Sequence, residues 1–280
     1  MLEQPGRSRR LALVVLCLAS LMVLLVYVIV DTGTPLRRWF LLAPAVLLLA
    51  GFALRQKTAP IPLLPLRLFR SRPVSGGNLV VVLMVAGMMG FQFLTALYLQ
   101  QVRELDALTT GFAFLPTPVT NAVVALWLGP RLIGRFGTRP VLAGGLVVAA
   151  AGLALLTRVP VDGDYFTDVL PALLLAGIGM GAAVPAVLGT AMSAGTPSDS
   201  GVASGLVNTT LQIGSAMGTA VLAAVAASRT ASLTETSVGQ REAAASGFRF
   251  AYTGSAAFVV LALLAALVVI PARKESLSRA

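Results

Sequence analysis

Long apolar runs alternate with short polar breaks along almost the whole chain. Residues 11–30 form a run of twenty in which only Cys17 and Ser20 are even mildly polar. That is the length an α-helix needs to cross a hydrocarbon layer of about 30 Å. Similar runs predict further spans over residues 39–54, 76–99, 110–128, 141–157, 168–190, 201–226 and 250–270. The expected fold is therefore an all-α integral membrane protein of eight transmembrane helices. The first run is read as a span rather than a signal peptide, because its core is long and no small-x-small cleavage site follows it.

The breaks divide the chain into an N-terminal helix pair over 1–54, a linker over 55–75, a six-helix block over 76–271 and a tail over 272–280. The linker holds Pro60, Pro62, Pro65 and Pro73 with five cations, and its Leu-Leu-Pro-Leu-Arg-Leu-Phe segment is apolar enough to lie along a membrane surface. The break at 129–139 is the most distinctive. It carries Arg131, Arg135 and Arg139 at four-residue spacing, with Gly129, Gly134 and Gly137 between them and Pro130 and Pro140 at its edges. Glycines permit sharp turns and prolines interrupt helices, so this stretch is expected to be a tight basic turn with a gating role.

Composition narrows the function classes. Apolar residues make up 57% of the chain and charged ones 11%, with a mean hydropathy of +0.88, against about a quarter charged in soluble domains. The net charge of +10 does not point to nucleic acid, because the cations sit in short breaks between apolar runs. Cys17 is the single cysteine and histidine is absent, which removes disulfides and cysteine or histidine metal sites. No cofactor is expected. Eight spans place fourteen cations in the termini, the linker and the 129–139 turn, and seven in the opposite loops. Cations favour the cytoplasmic face, so both termini and the arginine turn are expected there, in a plasma (inner) membrane. Membrane lipid is then an obligatory partner.

The spans differ in polarity. Those at 141–157 and 250–270 are almost purely aliphatic and suit lipid-facing support, whereas the other four of the block carry glycines and polar groups. Gln92, Asn121, Asn208 and Gln212 have two readings: hydrogen bonds between helices, or the lining of a substrate pathway. Gly177, Gly179 and Gly181 fall inside a hydrophobic span with no preceding strand, so they are read as helix packing rather than a nucleotide loop. Gly201 with Gly205, and Gly214 with Gly218, form small-xxx-small pairs that let helices approach closely. Pro116 and Pro118 would kink their helix or shape a cavity. Asp162, Asp164 and Asp168 are read as a solvated turn with a helix-start acid rather than a Ca²⁺ loop.

Several of these stretches together resemble the major facilitator superfamily. Gly134, Arg135, Gly137 and Arg139 are similar to its loop pattern Gly-x-Leu-Ala-Asp-Arg-x-Gly-Arg-Lys, although the acid is absent here, with Ile133 and Gly134 standing where Ala-Asp would be. The Pro-Leu-Arg-Leu-Phe-Arg-Ser-Arg run ending at Arg72, the Gly-Phe-Ala-Phe-Leu-Pro run ending at Pro116, and the stretch from Gly201 to Gly218 are similar to the fourteen-helix drug/proton antiporter branch (EmrB/QacA-type). The resemblance implies that the first two spans are a linking pair and the next six the C-terminal half of such a fold. Spans 76–99 and 168–190 would then line a central cavity, 110–128 and 201–226 would meet the other half, and the remaining two would lie outside. It also implies a truncated, partial or split antiporter that needs a separate N-terminal half to bring protons.

The function implied is proton-driven export of small hydrophobic or cationic molecules. The alternative is a non-transporting membrane scaffold or half-transporter subunit. A membrane-embedded enzyme fits poorly, because there is no histidine and the only lysines, Lys57 and Lys274, fall outside the spans.

Overall fold

The computed structural model of the protein describes residues 72–192, 200–235 and 239–270, all within one compact unit bounded by Leu66 and Ala280. The predicted spans at 11–30 and 39–54, residues 55–71 of the linker and the tail from residue 271 lie outside the described residues. What is described is wholly helical among those residues and contains six helices long and apolar enough to cross a membrane. We label them α1 (Arg72–Gln101), α2 (Ala107–Phe136), α3 (Thr138–Leu156), α4 (Tyr165–Met192), α5 (Ser200–Thr234) and α6 (Gln240–Val269). They correspond in order to the six runs expected from residue 76 onward.

Their packing follows from where the small residues fall. α1 and α5 run parallel in a constant register. Asn78 meets Thr210, while Cβ atoms built on Gly214 and Gly218 would meet the main chain of Val82 and Ala86. Leu222 then closes over Gly90. Each pair is four residues further along both helices, so the contact stays on one stripe of each. α2 and α4 run parallel in the same manner: Gly177 lies on Thr117 and Thr120, and Gly181 on Asn121 and Val124. Two antiparallel pairs complete the set. Gly145 and Gly152 of α3 face Gly179 and Ala172 of α4, and Gly87 of α1 faces Ser255 and Val259 of α6.

The arrangement is therefore a pair of three-helix repeats of opposite direction, α1–α3 and α4–α6. The second helix of each repeat packs on the first helix of the other. α1 and α4 are the most enclosed, and their buried Val80, Met84, Met88, Phe91, Leu94, Leu173 and Val187 belong to the central core. α2 is by far the most open, and α5 follows with α6. On α6, Ala251, Tyr252, Val259 and Ala262 are buried against its neighbours, while Phe250, Leu261, Leu264 and Val268 are exposed.

Four expectations about boundaries need correction. The 129–139 stretch is not a turn over most of its length: Gly129–Phe136 is helical and continues α2. Pro130 follows closely on a π-helical turn at Val124–Leu128, where the regular hydrogen-bond ladder is already interrupted. Only Gly137 leaves the helix, with φ 85° and ψ 168°, a conformation that glycine alone adopts readily. Second, α2 begins three residues earlier than expected, at Ala107. There the Asp106 carboxylate caps it by accepting from the Thr109 N–H, and hydrogen bonds from Thr109 hold the Asp106 pKa below its usual value. Third, the polar stretch 227–249 is not a long loop, because α5 continues to Thr234 and α6 starts at Gln240. Fourth, α4 opens with a π-helical turn at Tyr165–Val169, so Asp168 is inside its first turn rather than at its start. The two prolines of α2 interrupt its hydrogen-bond ladder without ending the span: Leu115, between the segment ending at Phe114 and the one beginning at Pro116, keeps helical φ and ψ of −53° and −34°.

Candidate functional site

Helices that cross a membrane must satisfy every backbone group internally, which leaves side chains to decide what each face meets. α5 shows two opposed faces. Ala203, Val207, Thr210, Gly214, Gly218 and Leu222 are buried toward α1. The other face carries Gly201, Gly205, Asn208 and Gln212, all exposed, with Ile213 and Met217 beside them at 55% and 40% exposure. On α2 an exposed apolar stripe runs through Phe112, Leu115, Val119 and Val123.

Asn208 and Gln212 thus lie one turn apart on the open face of α5. Asn121 is half-buried on α2, its carbonyl close to Gly181, and Gln92 is half-buried on α1 next to the exposed Phe93. Among the described residues, none of these four amides hydrogen-bonds to another. The glycines expected to pack divide sharply. Gly177, Gly179, Gly181, Gly214 and Gly218 all meet a neighbouring helix, with a Cβ on Gly179 standing 2.5 Å from the Ala149 nitrogen and one on Gly214 2.8 Å from the Val82 carbonyl oxygen. Gly201 and Gly205 meet nothing within 4 Å.

The basic segment behaves as three separate arginines. Arg131 donates to the Trp127 carbonyl at 2.9 Å and places its guanidinium 5.9 Å from that indole. Arg135 lies 5.4 Å from the ring of Phe136. Arg139 donates to the Leu267 carbonyl near the end of α6, joining the α2–α3 corner to the second repeat. Among the described residues, no carboxylate pairs with any of the three. Gly129 and Gly134 are helical, so of the loop glycines only Gly137 uses its conformational freedom.

Two arrangements escaped the sequence reading. One is the buried pair in which Thr210 Oγ1 donates to Asn78 Oδ1 at 2.8 Å, while Asn78 Nδ2 donates to the Val74 carbonyl. The other is a clamp at the opposite end of the bundle from Arg139. Arg241 Nε donates to the Val102 carbonyl at 2.8 Å and pairs with Asp162 at 3.3 Å. Arg249 Nε donates to the Val159 carbonyl at 2.7 Å and pairs with Glu242 at 3.4 Å. Tyr98 donates to the Pro160 carbonyl, and Arg103 to that of Gly163. Three apparently ordinary loop arginines thus tie the α1–α2 corner, the α3–α4 connection and the start of α6 together. Tandem Arg and Asp in polar breaks are the only sequence trace of this, and pairing them requires the fold.

The chain can now be set beside known proteins. It is 38% identical to a puromycin resistance protein of Streptomyces alboniger over 153 residues, which is 54% of this chain and 30% of that protein. It is 36% identical to a tetracenomycin C resistance and export protein of Streptomyces glaucescens, over 55% of this chain and 28% of that one. It is 28% identical to a multidrug transporter of Bacillus subtilis, over 52% and 26% respectively. The aligned part covers less than a third of each of these relatives. Residues 10–219 match the Major Facilitator Superfamily as a family. With three quarters of its length inside that match and a bundle of paired three-helix repeats, the chain belongs to the Major Facilitator Superfamily.

Proposed function

We propose that this chain forms the C-terminal part of a fourteen-helix drug/proton antiporter in the plasma membrane, exporting small hydrophobic or cationic molecules. The observation that carries the reading is the open face of α5. A membrane helix that presents Gly201, Gly205, Asn208 and Gln212 away from its own bundle, with α2 more open still, is built to meet something other than lipid tails. An unpaired amide in hydrocarbon costs several kcal/mol, roughly 2–7 by transfer measurements. A second six-helix half covering α2 and α5 would remove that cost, with Gly201 and Gly205 giving the close approach that they lack within this bundle. Gln92, Asn121, Asn208 and Gln212 would then border the path between halves. The arginine segment would work the gate on the cytoplasmic side, together with both termini. The names of the relatives, resistance and export proteins, support drug export as the cargo class.

The test is expression in a drug-sensitive bacterium, with and without a six-helix N-terminal half taken from one of these relatives. Efflux of a fluorescent lipophilic cation is expected only with both halves, and Gln212→Ala should change substrate preference at equal protein level. No efflux from a properly assembled pair would overturn the reading.

A further inference from the structure

An apolar groove opens where α2, α3 and α4 converge beside the arginine segment. It has a volume of about 280 Å³ and is bordered by Leu128, Leu132 and Phe136 of α2, Gly144 and Val148 of α3, and Ile178 of α4. Drug-sized sites are roughly 300–1,000 Å³ and place a few polar groups to orient their ligand. This groove falls below that range, and every side chain that lines it is apolar. A hydrocarbon segment fits such a lining, because it asks for no hydrogen bonds from the wall.

The rim has the opposite character. Leu128, Leu132 and Phe136 recur every four residues, so one stripe of α2 forms the wall. Arg131 and Arg135 stand three residues after Leu128 and Leu132, on the adjoining stripe. The guanidinium of Arg135 lies over Phe136, itself a wall residue, and that of Arg131 lies over the exposed Trp127. Both arginines are exposed, and among the described residues no carboxylate neutralises either. An apolar slot flanked on the adjoining stripe of α2 by two guanidinium groups that no carboxylate among the described residues neutralises is complementary to an amphiphile with one negative head and one hydrocarbon tail.

We propose that this groove is a binding site for an anionic phospholipid, with one acyl chain along Leu128, Leu132, Gly144 and Ile178 and the phosphate held by Arg131 and Arg135. The site needs only that the bundle be in a membrane, and stands whether or not the chain transports anything. A lipid held there bridges α2 and α3 at the corner where Gly137 turns the chain.

Trp127 provides a built-in reporter, since the chain has two tryptophans and Trp39→Phe leaves it alone. The full chain carrying that change is reconstituted with phosphatidylcholine vesicles, and dibrominated acyl lipids are titrated in. Brominated phosphatidylglycerol should quench Trp127 at several-fold lower mole fraction than brominated phosphatidylcholine. Arg131→Gln with Arg135→Gln should erase the preference, and the matching Lys pair should keep most of it. Gly144→Leu should also erase it, because Gly144 borders the groove, a Cβ there meets nothing within 4 Å, and the longer side chain would extend into the space the acyl chain uses. Equal quenching by the two lipids would overturn the proposal, as would a preference that persists in the Gln pair or in Gly144→Leu. Displacement of phosphatidylglycerol by equimolar inorganic phosphate would likewise overturn it, since a soluble anion would then suffice. Far-UV circular dichroism distinguishes lost binding from lost folding, and the Lys pair keeps the test decisive if the Gln pair misfolds.

Discussion

Thr210 donates its hydroxyl proton to Asn78 Oδ1 across 2.8 Å where α1 and α5 meet, and both side chains are buried. This pair sets the first step of the four-residue register that Gly214 and Gly218 continue along Val82 and Ala86. Its polar atoms have nowhere else to turn except to their own helices: Thr210 can return to the Leu206 carbonyl, and Asn78 Nδ2 already occupies that of Val74. Thr210→Val keeps the shape and leaves Asn78 Oδ1 without its donor. The expected loss is about 1–3 kcal/mol by the cost of a stranded buried acceptor, tending to the lower end because membrane hydrogen bonds average roughly 0.6 kcal/mol in measured cycles. Unfolding by a denaturing detergent would read it, and Asn78→Leu combined with Thr210→Val should recover part of the loss. An additive double variant would show that the two residues do not interact.

The glycines of α5 should separate into two classes. A Cβ at Gly218 would collide with the main chain of Ala86, which cannot rotate away. Gly218→Val is therefore expected to lower the yield of folded protein sharply, by separating α5 from α1. Gly205→Val should leave the folded yield of this chain nearly unchanged, since nothing lies within 4 Å of its Cβ position. In a complete two-half transporter the same Gly205→Val should reduce efflux, because the second half would need that space. If Gly205→Val is harmless there too, the open face of α5 is not a close-packed interface.

How much of this was legible before the structure depends on whether the signal was local. Six apolar runs became six helices because length and hydropathy belong to a single segment, and bilayer thickness selects for both. Helix ends differ from the hydropathy pattern where polar residues stay on a helix instead of breaking it. Arg131 and Arg135 ride on an exposed helical surface. Beyond Ala226, Ser232 and Thr234 satisfy their hydroxyls on the carbonyls of Arg229 and Thr230, so polarity did not stop α5. Gly201 and Gly218 are indistinguishable by motif, and which of them touches a neighbour is decided by the rotational phase of α5 against α1. The Arg241–Asp162 clamp was illegible for the same reason, since the partners are brought together only by the stacking of α6 on α1 and α3.

The two glycines nearest the α2–α3 corner make a sharper test of backbone demand. Gly134 is helical, with open space at its Cβ position, so Gly134→Ala should be neutral or slightly stabilising. Gly137 holds φ at 85°, where a side chain is strained by about 1–3 kcal/mol. Gly137→Ala should lower stability by that amount and loosen the corner that Arg139 ties to Leu267. Proteolysis at 136–140, faster in Gly137→Ala than in Gly134→Ala, would show it. Equal rates would mean that the corner tolerates a Cβ and the turn is not what orders it.

Proton coupling provides the last test. A group that couples must gain and lose a proton inside the membrane, which in practice means an intramembrane acid or histidine, and histidine is absent. The acids of the described bundle sit at its ends. Glu104 and Asp106 lie between α1 and α2, Asp162 and Asp164 lie between α3 and α4, and Asp168 is in the first turn of α4. Glu235 follows α5, and Glu242 is in the first turn of α6. Among the described residues none falls near the middle of a span, and Asp162 and Glu242 are already engaged by Arg241 and Arg249. On the proposed reading, the proton site of the antiporter is expected in a partner half rather than in the described bundle. Reconstituted alone into vesicles with an imposed pH gradient, the chain should give no substrate-dependent proton flux, whereas assembled with an N-terminal half it should. Flux from this chain alone, abolished by Asp31→Asn or Asp168→Asn, would place the coupling acid here and remove the need for a second half.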